Sequence, residues 1–236
     1  MPGHIGIVAC SAPGAALCYE TICIEGSRRM GRYDHPEISL HSVSFAAYMR
    51  AVDAGDWESV ADLLLGSVEK LAAIGADFAI CPDNTIHQAL PFLVPRSPIP
   101  WLHIADAVVA EAKRAGFTRL AVLGTRYLME GPVYAEKLDA AGIERRVPRA
   151  EERETINRII FDELVVNQVT ERARAAVHDV IARLRADEGC DAVVLGCTEL
   201  PLLVLAESSP LPTLDSTRLL ARAAIELALG DARVAR

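Results

Sequence analysis

The sequence predicts an α/β fold with parallel sheets, and three observations predict it. Short β-branched apolar runs alternate with longer amphipathic stretches through the 236 residues, which is the pattern of strand-helix-strand units. Two of these runs carry matching flanks: Gly75-Ala76-Asp77-Phe78-Ala79-Ile80-Cys81-Pro82-Asp83-Asn84-Thr85, and Gly189-Cys190-Asp191-Ala192-Val193-Val194-Leu195-Gly196-Cys197-Thr198-Glu199. One fixed offset lays Gly75 on Gly189, Asp77 on Asp191 and Asp83 on Cys197. Finally, Arg96-Ser97-Pro98-Ile99-Pro100 interrupts the chain with prolines that stop both a helix and a central strand, and the pattern restarts after it. The expected division is an N-terminal α/β domain of residues 1–98 plus 212–236 and a C-terminal one of residues 99–211.

In chain order, His4 to Cys10 is a compact apolar run, read as a buried strand. Ser11-Ala12-Pro13-Gly14 follows as a small-residue loop, then a helix to about Gly26; Ser11 is a candidate carboxylate contact or a helix cap. Glu37 to Phe45 alternates as a second strand. Asp53 to Trp57 is a turn that opens a helix carrying Val60, Leu63, Leu64, Val68 and Leu71. The strand to Pro82 comes next, then the Asp83-Asn84-Thr85 turn and a stretch to Leu93, with His87 either near a ligand or structural. Beyond the prolines, Ile104 to Ala115 reads as a helix, Leu120 to Gly124 as a strand, Tyr134 to Ala141 as a helix, and 151–185 as mostly helical. The second matched strand ends at Leu195. Thr213-Leu214-Asp215-Ser216-Thr217 caps a last helix, Arg218 to Leu229, expected to pack back on the first half.

Composition excludes several classes. About half of the residues are apolar and the formal charge is −8, which fits a globular protein and not a nucleic-acid surface, since phosphate binding needs clustered Lys and Arg. Neither a G-x-G-x-x-G loop nor a Lys-containing phosphate loop occurs. The six cysteines lack zinc-type spacing and are too few for a disulfide scaffold, so they read as reduced, hence a cytoplasmic protein. Charges interrupt every apolar stretch before it reaches the length of a bilayer span, and the N-terminus has no signal-peptide pattern.

The chemistry concentrates at the ends of the two matched strands. In open α/β sheets the function lies outside the carboxyl ends of the strands, and here these ends carry Asp83 and Cys197. Two proton-accepting groups from two equivalent half-molecules can serve opposite faces of one carbon, removing a proton on one side and returning it on the other. That is a racemase or epimerase layout.

An ordered set of motifs then resembles the cofactor-independent aspartate/glutamate racemase superfamily, which includes hydantoin racemases, maleate isomerases and arylmalonate decarboxylases. It comprises Ile5-Gly6-Ile7, Leu40 to Phe45, Gly75 to Phe78, Asn84-Thr85-Ile86-His87, Leu102 to Asp106, Leu123 to Tyr127, Ile159 to Leu164 and Gly196-Cys197-Thr198-Glu199-Leu200-Pro201. The resemblance implies two Rossmann-like domains related by pseudo-twofold symmetry, an active site in the cleft between them, and proton relay without pyridoxal phosphate or any other cofactor. It also implies no metal, a small-molecule carboxylate substrate, and a homodimer without nucleic-acid or membrane partners. Cys197 matches the second family cysteine. The first does not match, because the family's Cys-Asn-Thr is here Asp83-Asn84-Thr85.

The expected catalytic pair is therefore Asp83 and Cys197, with Cys81 a rival thiol near the first strand end. Ser11, Asn84, Thr85, Thr125 and Thr198 are the expected substrate contacts. Other departures bear on specificity: Ala9-Cys10 and Ala15-Ala16 replace residues typical of acidic-substrate racemases, and Asn167-Gln168 stands near the usual lysine. Burying a side-chain carboxylate without a cation is costly. Arg50 and Arg126 are the remaining candidate cations, and a substrate not strictly aspartate is favoured. The expected activity is racemisation or epimerisation of an amino acid or related carboxylate; the alternative is a one-cysteine decarboxylase or cis-trans isomerase.

Overall fold

Five consecutive apolar residues, Ile5–Ala9, form β1, the central strand of a three-stranded parallel sheet in the order β2-β1-β3, with β2 at Ile38–Ser42 and β3 at Phe78–Ile80. Paired on both edges, β1 is buried along its whole length, which is why its sequence does not alternate. The computed structural model describes residues 2–166 and 168–230. The chain divides into two compact units, Met1–Ala107 with Thr217–Arg236, and Val108–Ser216.

In the first unit, α1 (Ala12–Met30) starts at Ser11, whose hydroxyl accepts the Gly14 N–H at 3.4 Å, and Pro13 sits in the first turn where its missing N–H is harmless. α2 (Phe45–Ala54) and α3 (Trp57–Ala73) follow β2; Asp56 caps α3 by accepting the Ser59 N–H at 3.0 Å. After β3 the chain winds through a 3-10 turn, Thr85–Ala89, and the short α4 (Leu90–Leu93). The segment beyond the prolines then returns to the sheet. Ala79 N–H donates to Pro100 C=O at 2.8 Å and Leu102 N–H to Ala79 C=O at 3.0 Å, so Trp101 bridges β3 before α5 (Ile104–Ala115) begins.

The second unit holds a four-stranded parallel sheet in the order β5-β4-β6-β7, with β4 Arg119–Leu123, β5 Glu144–Arg146, β6 Ala192–Leu195 and β7 Thr213–Asp215. Its helices are α6 (Arg126–Glu130), α7 (Pro132–Ala141), α8 (Ala150–Arg158) and α9 (Glu171–Glu188), with a single π-turn at Ile159–Glu163. α10 (Ser216–Ala228) closes the described chain. Ala121, Leu123, Val193 and Leu195 pack under Ile156, Ile160, Val177, Ile181 and Leu184. In the first unit, Ile5, Ile7, Phe78 and Ile80 pack against Cys18 and Ile22 of α1, Ile104 of α5, and Leu220, Ala224 and Ile225 of α10. Among the described residues no helix is long and apolar enough to cross a membrane.

Three elements differ from what the pattern predicts. Phe45–Ala54 is helical although the alternation of β2 runs on into it; its Tyr48, Ala51 and Val52 form one buried face, and Gly55 ends it at φ 68. Glu144–Arg146 has no apolar signal and forms an edge strand through pairing with Arg119–Ala121. Thr213–Asp215 reads as a helix cap but pairs with Val193–Leu195, because the neighbouring strand supplies its hydrogen-bond partners. The charged pairs expected on solvated helix faces also include a partly buried exception. Arg183 donates to Glu152 at 2.5 and 2.6 Å and to Glu188 at 2.8 Å, linking α8 to α9. Asn167 lies outside the described residues, while Gln168 is exposed.

The matched stretches do equivalent work. Asp77 accepts the His4 N–H at 2.7 Å and so ties the start of β3 to that of β1; Asp191 accepts the N–H groups of Thr118 at 2.7 Å and Arg119 at 3.1 Å and ties β6 to β4. At the opposite end of β6, Gly196 N–H donates to Leu123 C=O at 2.8 Å, and a Cβ on Gly196 would lie 2.8 Å from that same oxygen and 2.3 Å from Leu128 Cδ2. Gly196→Ala is therefore expected to destabilise the protein by about 1–3 kcal/mol through overpacking. Gly66→Ala, on α3 where an added Cβ would meet nothing within 4 Å, is expected to stabilise it by roughly 0.5–1 kcal/mol. Urea denaturation midpoints of the two variants check both signs.

Candidate active site

Strands β1 and β3 leave their sheet at the same level, since their register pairs Ile7 with Ile80. Beyond those ends stand Cys10 and Ser11 on one side and Asp83, Asn84 and Thr85 on the other. Asp83 is half-buried and accepts the Ile86 N–H at 3.4 Å on Oδ1, while Asn84 is 3% exposed. Under the turn, His87 is 2% exposed; its Nδ1 faces the Asp83 carbonyl at 2.8 Å and its Nε2 accepts the Ile104 N–H at 3.2 Å. An acceptor at Nε2 requires the proton on Nδ1, so His87 donates to the Asp83 carbonyl and joins the turn to the start of α5. His103 packs edge-on against it, ring centroids 4.7 Å apart, and accepts the Ala105 N–H at 3.1 Å. His87 thus has a positioning function on the Asp83 backbone.

In the second unit the β4–β6 register pairs Leu123 with Leu195, and the next residues are Gly124-Thr125 and Gly196-Cys197. A Cβ on Gly124 would approach Gly196 C=O to 3.0 Å, so the glycines let the two loops leave side by side. Thr125 caps α6 by accepting the Leu128 N–H at 3.3 Å. Cys197 is half-buried, one flank packed on the core, and its thiol donates to Glu199 Oε2 at 2.9 Å. Thr198 donates to the same oxygen at 2.7 Å. Glu199 is 6% exposed, so a carboxylate is held at the partly accessible thiol, within reach of its proton.

The structure thus groups Ser11, Asp83, Asn84 and Thr85 at one set of strand ends, and Thr125, Cys197 and Thr198 at the other. Cys81, the rival thiol, is 1% exposed, and burial followed by the Asp83 charge pushes its thiol well above the ordinary range. Sequence reasoning passed over Glu199 as the partner of the Cys197 thiol. The signal was present: Glu199 stands two residues after the cysteine. Among the described residues no group of His, Cys, Asp and Glu is arranged to hold a metal ion.

Burial sorts the thiols. Cys10, Cys18, Cys81 and Cys190 are buried, Cys190 pushed up to about 11 mainly by its burial, whereas Cys23 and Cys197 are partly accessible. Brief iodoacetamide treatment of the native protein at neutral pH is expected to label Cys23 and Cys197 while leaving those four at least about tenfold slower. Peptide mapping by mass spectrometry reads the order.

Comparison with known proteins bears on the family and the fold. The chain is similar to a candidate Asp/Glu racemase of Yersinia pestis, with 32% identity, 96% of this chain and 99% of the other covered, and a TM-score of 0.88. It is also similar to an aspartate racemase homologue of Pyrococcus horikoshii, with 31% identity, coverage of 96% and 99%, and a TM-score of 0.83. The broad-specificity amino-acid racemase RacX of Bacillus subtilis is 23% identical over 195 residues, 81% of this chain and 82% of its own. The profile of the Asp/Glu/Hydantoin racemase family matches residues 12–224. The chain belongs to the Asp/Glu/Hydantoin racemase family and is an isomerase of the racemase type.

Proposed function

We propose that the protein racemises or epimerises an amino acid or a closely related small carboxylate, without pyridoxal phosphate, and that Asp83 and Cys197 are its two acid/base groups. The observation that carries the reading is the equivalence of the two strand ends: the same Asp-stapled strand, repeated in each unit, delivers Asp83 once and Cys197 once. In one direction the Asp83 carboxylate takes the α-proton and the Cys197 thiol returns a proton to the carbon from the other side. In the reverse direction the thiolate takes it and the Asp83 carboxyl returns it. Each turnover moves one proton off carbon and one onto it, and the two groups exchange protonation states.

The Cys197 thiol donates to Glu199, and Asp83 accepts the Ile86 amide N–H. Glu199 supports the thiol half of the cycle, since a buried carboxylate at 2.9 Å takes the proton that must leave sulfur before a thiolate can act. Ser11 and Thr125 hold helix starts at these strand ends, so the backbone amides there, with Asn84, Thr85 and Thr198, are the proposed ligands of the substrate carboxylate and its enolate-like intermediate. The missing usual lysine and the printed breadth of RacX support a substrate that is not strictly aspartate.

The single thiol favours one further reading. A free carboxylate with a pKa near about 4 is a far weaker carbon base than a thiolate with one near about 8.5, which suits a one-cysteine decarboxylase or cis-trans isomerase in which Cys197 only protonates an intermediate. The experiments separate the two. Single enantiomers incubated in D₂O are expected to gain α-deuterium and to lose optical rotation, with neutral amino acids turned over at least as fast as aspartate. Asp83→Asn and Cys197→Ser are each expected to lower kcat by roughly 10²–10⁴-fold. Release of CO₂ from a substituted malonate with no α-deuteration of any amino acid would move the assignment to the second reading.

A further inference from the structure

One peptide group lies directly before Cys197, and the structure holds it from both sides. Its N–H, that of Gly196, donates to Leu123 C=O of β4 at 2.8 Å. Its C=O, that of Leu195, accepts the Ser216 hydroxyl at 2.9 Å. A trans peptide is planar, and its N–H and C=O point in opposite directions. The two bonds therefore fix the rotation of that plane about the chain, and with it the direction in which Cys197 leaves β6. Ser216 is fully buried and is the first residue of α10.

A serine at the start of a helix ordinarily serves as a cap, accepting an N–H of its own first turn. Capping uses only the oxygen; the Ser216 proton is committed to a strand carbonyl 21 residues back in the chain. The first unit has the same construction in different atoms. Ile104 is the first residue of α5, its N–H donates to His87 Nε2 at 3.2 Å, and His87 Nδ1 donates to the Asp83 C=O at 2.8 Å. The segments that lead into the two helices also pair alike, Ala79 N–H donating to Pro100 C=O at 2.8 Å and Val193 N–H to Pro212 C=O at 2.9 Å. α5 leaves the first unit after Ala107, and α10 leaves the second after Ser216. In each unit, then, the strand end with the proposed acid/base group is bonded to the start of the helix that carries the chain out.

We propose that Ser216 is the positioning residue of the second unit: its hydroxyl fixes the Leu195–Gly196 peptide and so aims the Cys197 sulfur, as His87 holds the backbone of Asp83. No proton passes through Ser216 in the reaction; it acts through the place where the sulfur stands. A displacement of about 1 Å at a reacting group can lower a rate on the order of 10²-fold, so a bond one residue away from the thiol is felt in the chemical step. This rests on the assignment of Cys197 given above.

The test compares Ser216→Ala with the wild type, and with Thr21→Ala, which loses another buried hydroxyl bonded to a backbone carbonyl, within α1. Ser216→Ala is expected to lower kcat by roughly tenfold to a hundredfold and to leave KM within about twofold, whereas Thr21→Ala keeps both. In D₂O, α-deuteration with retention should fall for the enantiomer that Cys197 deprotonates and stay within about twofold for its mirror image, which Asp83 serves; a general loss of stability would lower both alike. The iodoacetamide rate of Cys197 relative to Cys23 should rise at least about threefold in Ser216→Ala, because a loosened peptide uncovers the flank of the sulfur that packs on the core. If Ser216→Ala does not fold by circular dichroism, Ser216→Cys, close in size but a weaker donor, decides by the same readouts. An unchanged labelling ratio, or exchange lowered equally for both enantiomers, overturns this inference and leaves the racemase reading in place. A wild type that deuterates no amino acid overturns that reading instead, and the labelling ratio alone then decides whether Ser216 positions Cys197.

Discussion

The parallel hydrogen-bonded pairing of β1 with β3, and of β4 with β6, is the constraint on which the rest depends. In a parallel pair, register decides which residues leave the sheet side by side. Asp77 and Asp191 set that register from below by accepting N–H groups of the neighbouring strand. At the upper ends the Ile7–Ile80 pair is followed by the segments that carry Cys10 and Asp83, and the Leu123–Leu195 pair by those that carry Thr125 and Cys197. A slip of one residue in either pair would turn each of these side chains to the other face of its sheet.

The two matched strand ends carry opposite residues, Asp83 in one unit and Cys197 in the other. A carbon acid requires a base that is strong and poised, yet carboxylate and thiol differ by several units in intrinsic basicity. In the first unit Cys10, Cys81 and Tyr48 are buried, and burial above all holds each of them protonated. In the other, the better nucleophile, Cys197, sits partly exposed over a buried Glu199. Both groups stand on short turns, and these turns are made rigid from outside. His87 bonds the Asp83 backbone to the start of α5, and the Gly196 N–H bonds the Cys197 loop to Leu123.

Much of this was legible in one chain. The β-branched runs, the glycine after each helix and the proline break announced the α/β alternation, because a strand buried on both faces has no alternative to a continuous apolar run. The repeat of Gly, Asp and a polar strand end also marked the two equivalent strands, since duplicated structure preserves the residues that its local geometry needs. The edge strands escaped because their pairing comes from a neighbour: Glu144–Arg146 and Thr213–Asp215 carry no apolar pattern of their own. The α2 helix was obscured by an alternation that continued for a few residues past the end of β2.

What the sequence determined by itself is therefore the periodic part: fold class, the order of most strands and helices, and the two matched strands with their polar ends. Those depend on local spacing, hydrophobic burial and turn residues within a few positions of one another. Only the tertiary structure decided the partners: Glu199 under Cys197, and His87 between a turn and a helix start. Partnership of this kind depends on which strands become neighbours and at what register, and a side chain's chemical role is completed by a group that the linear spacing does not name.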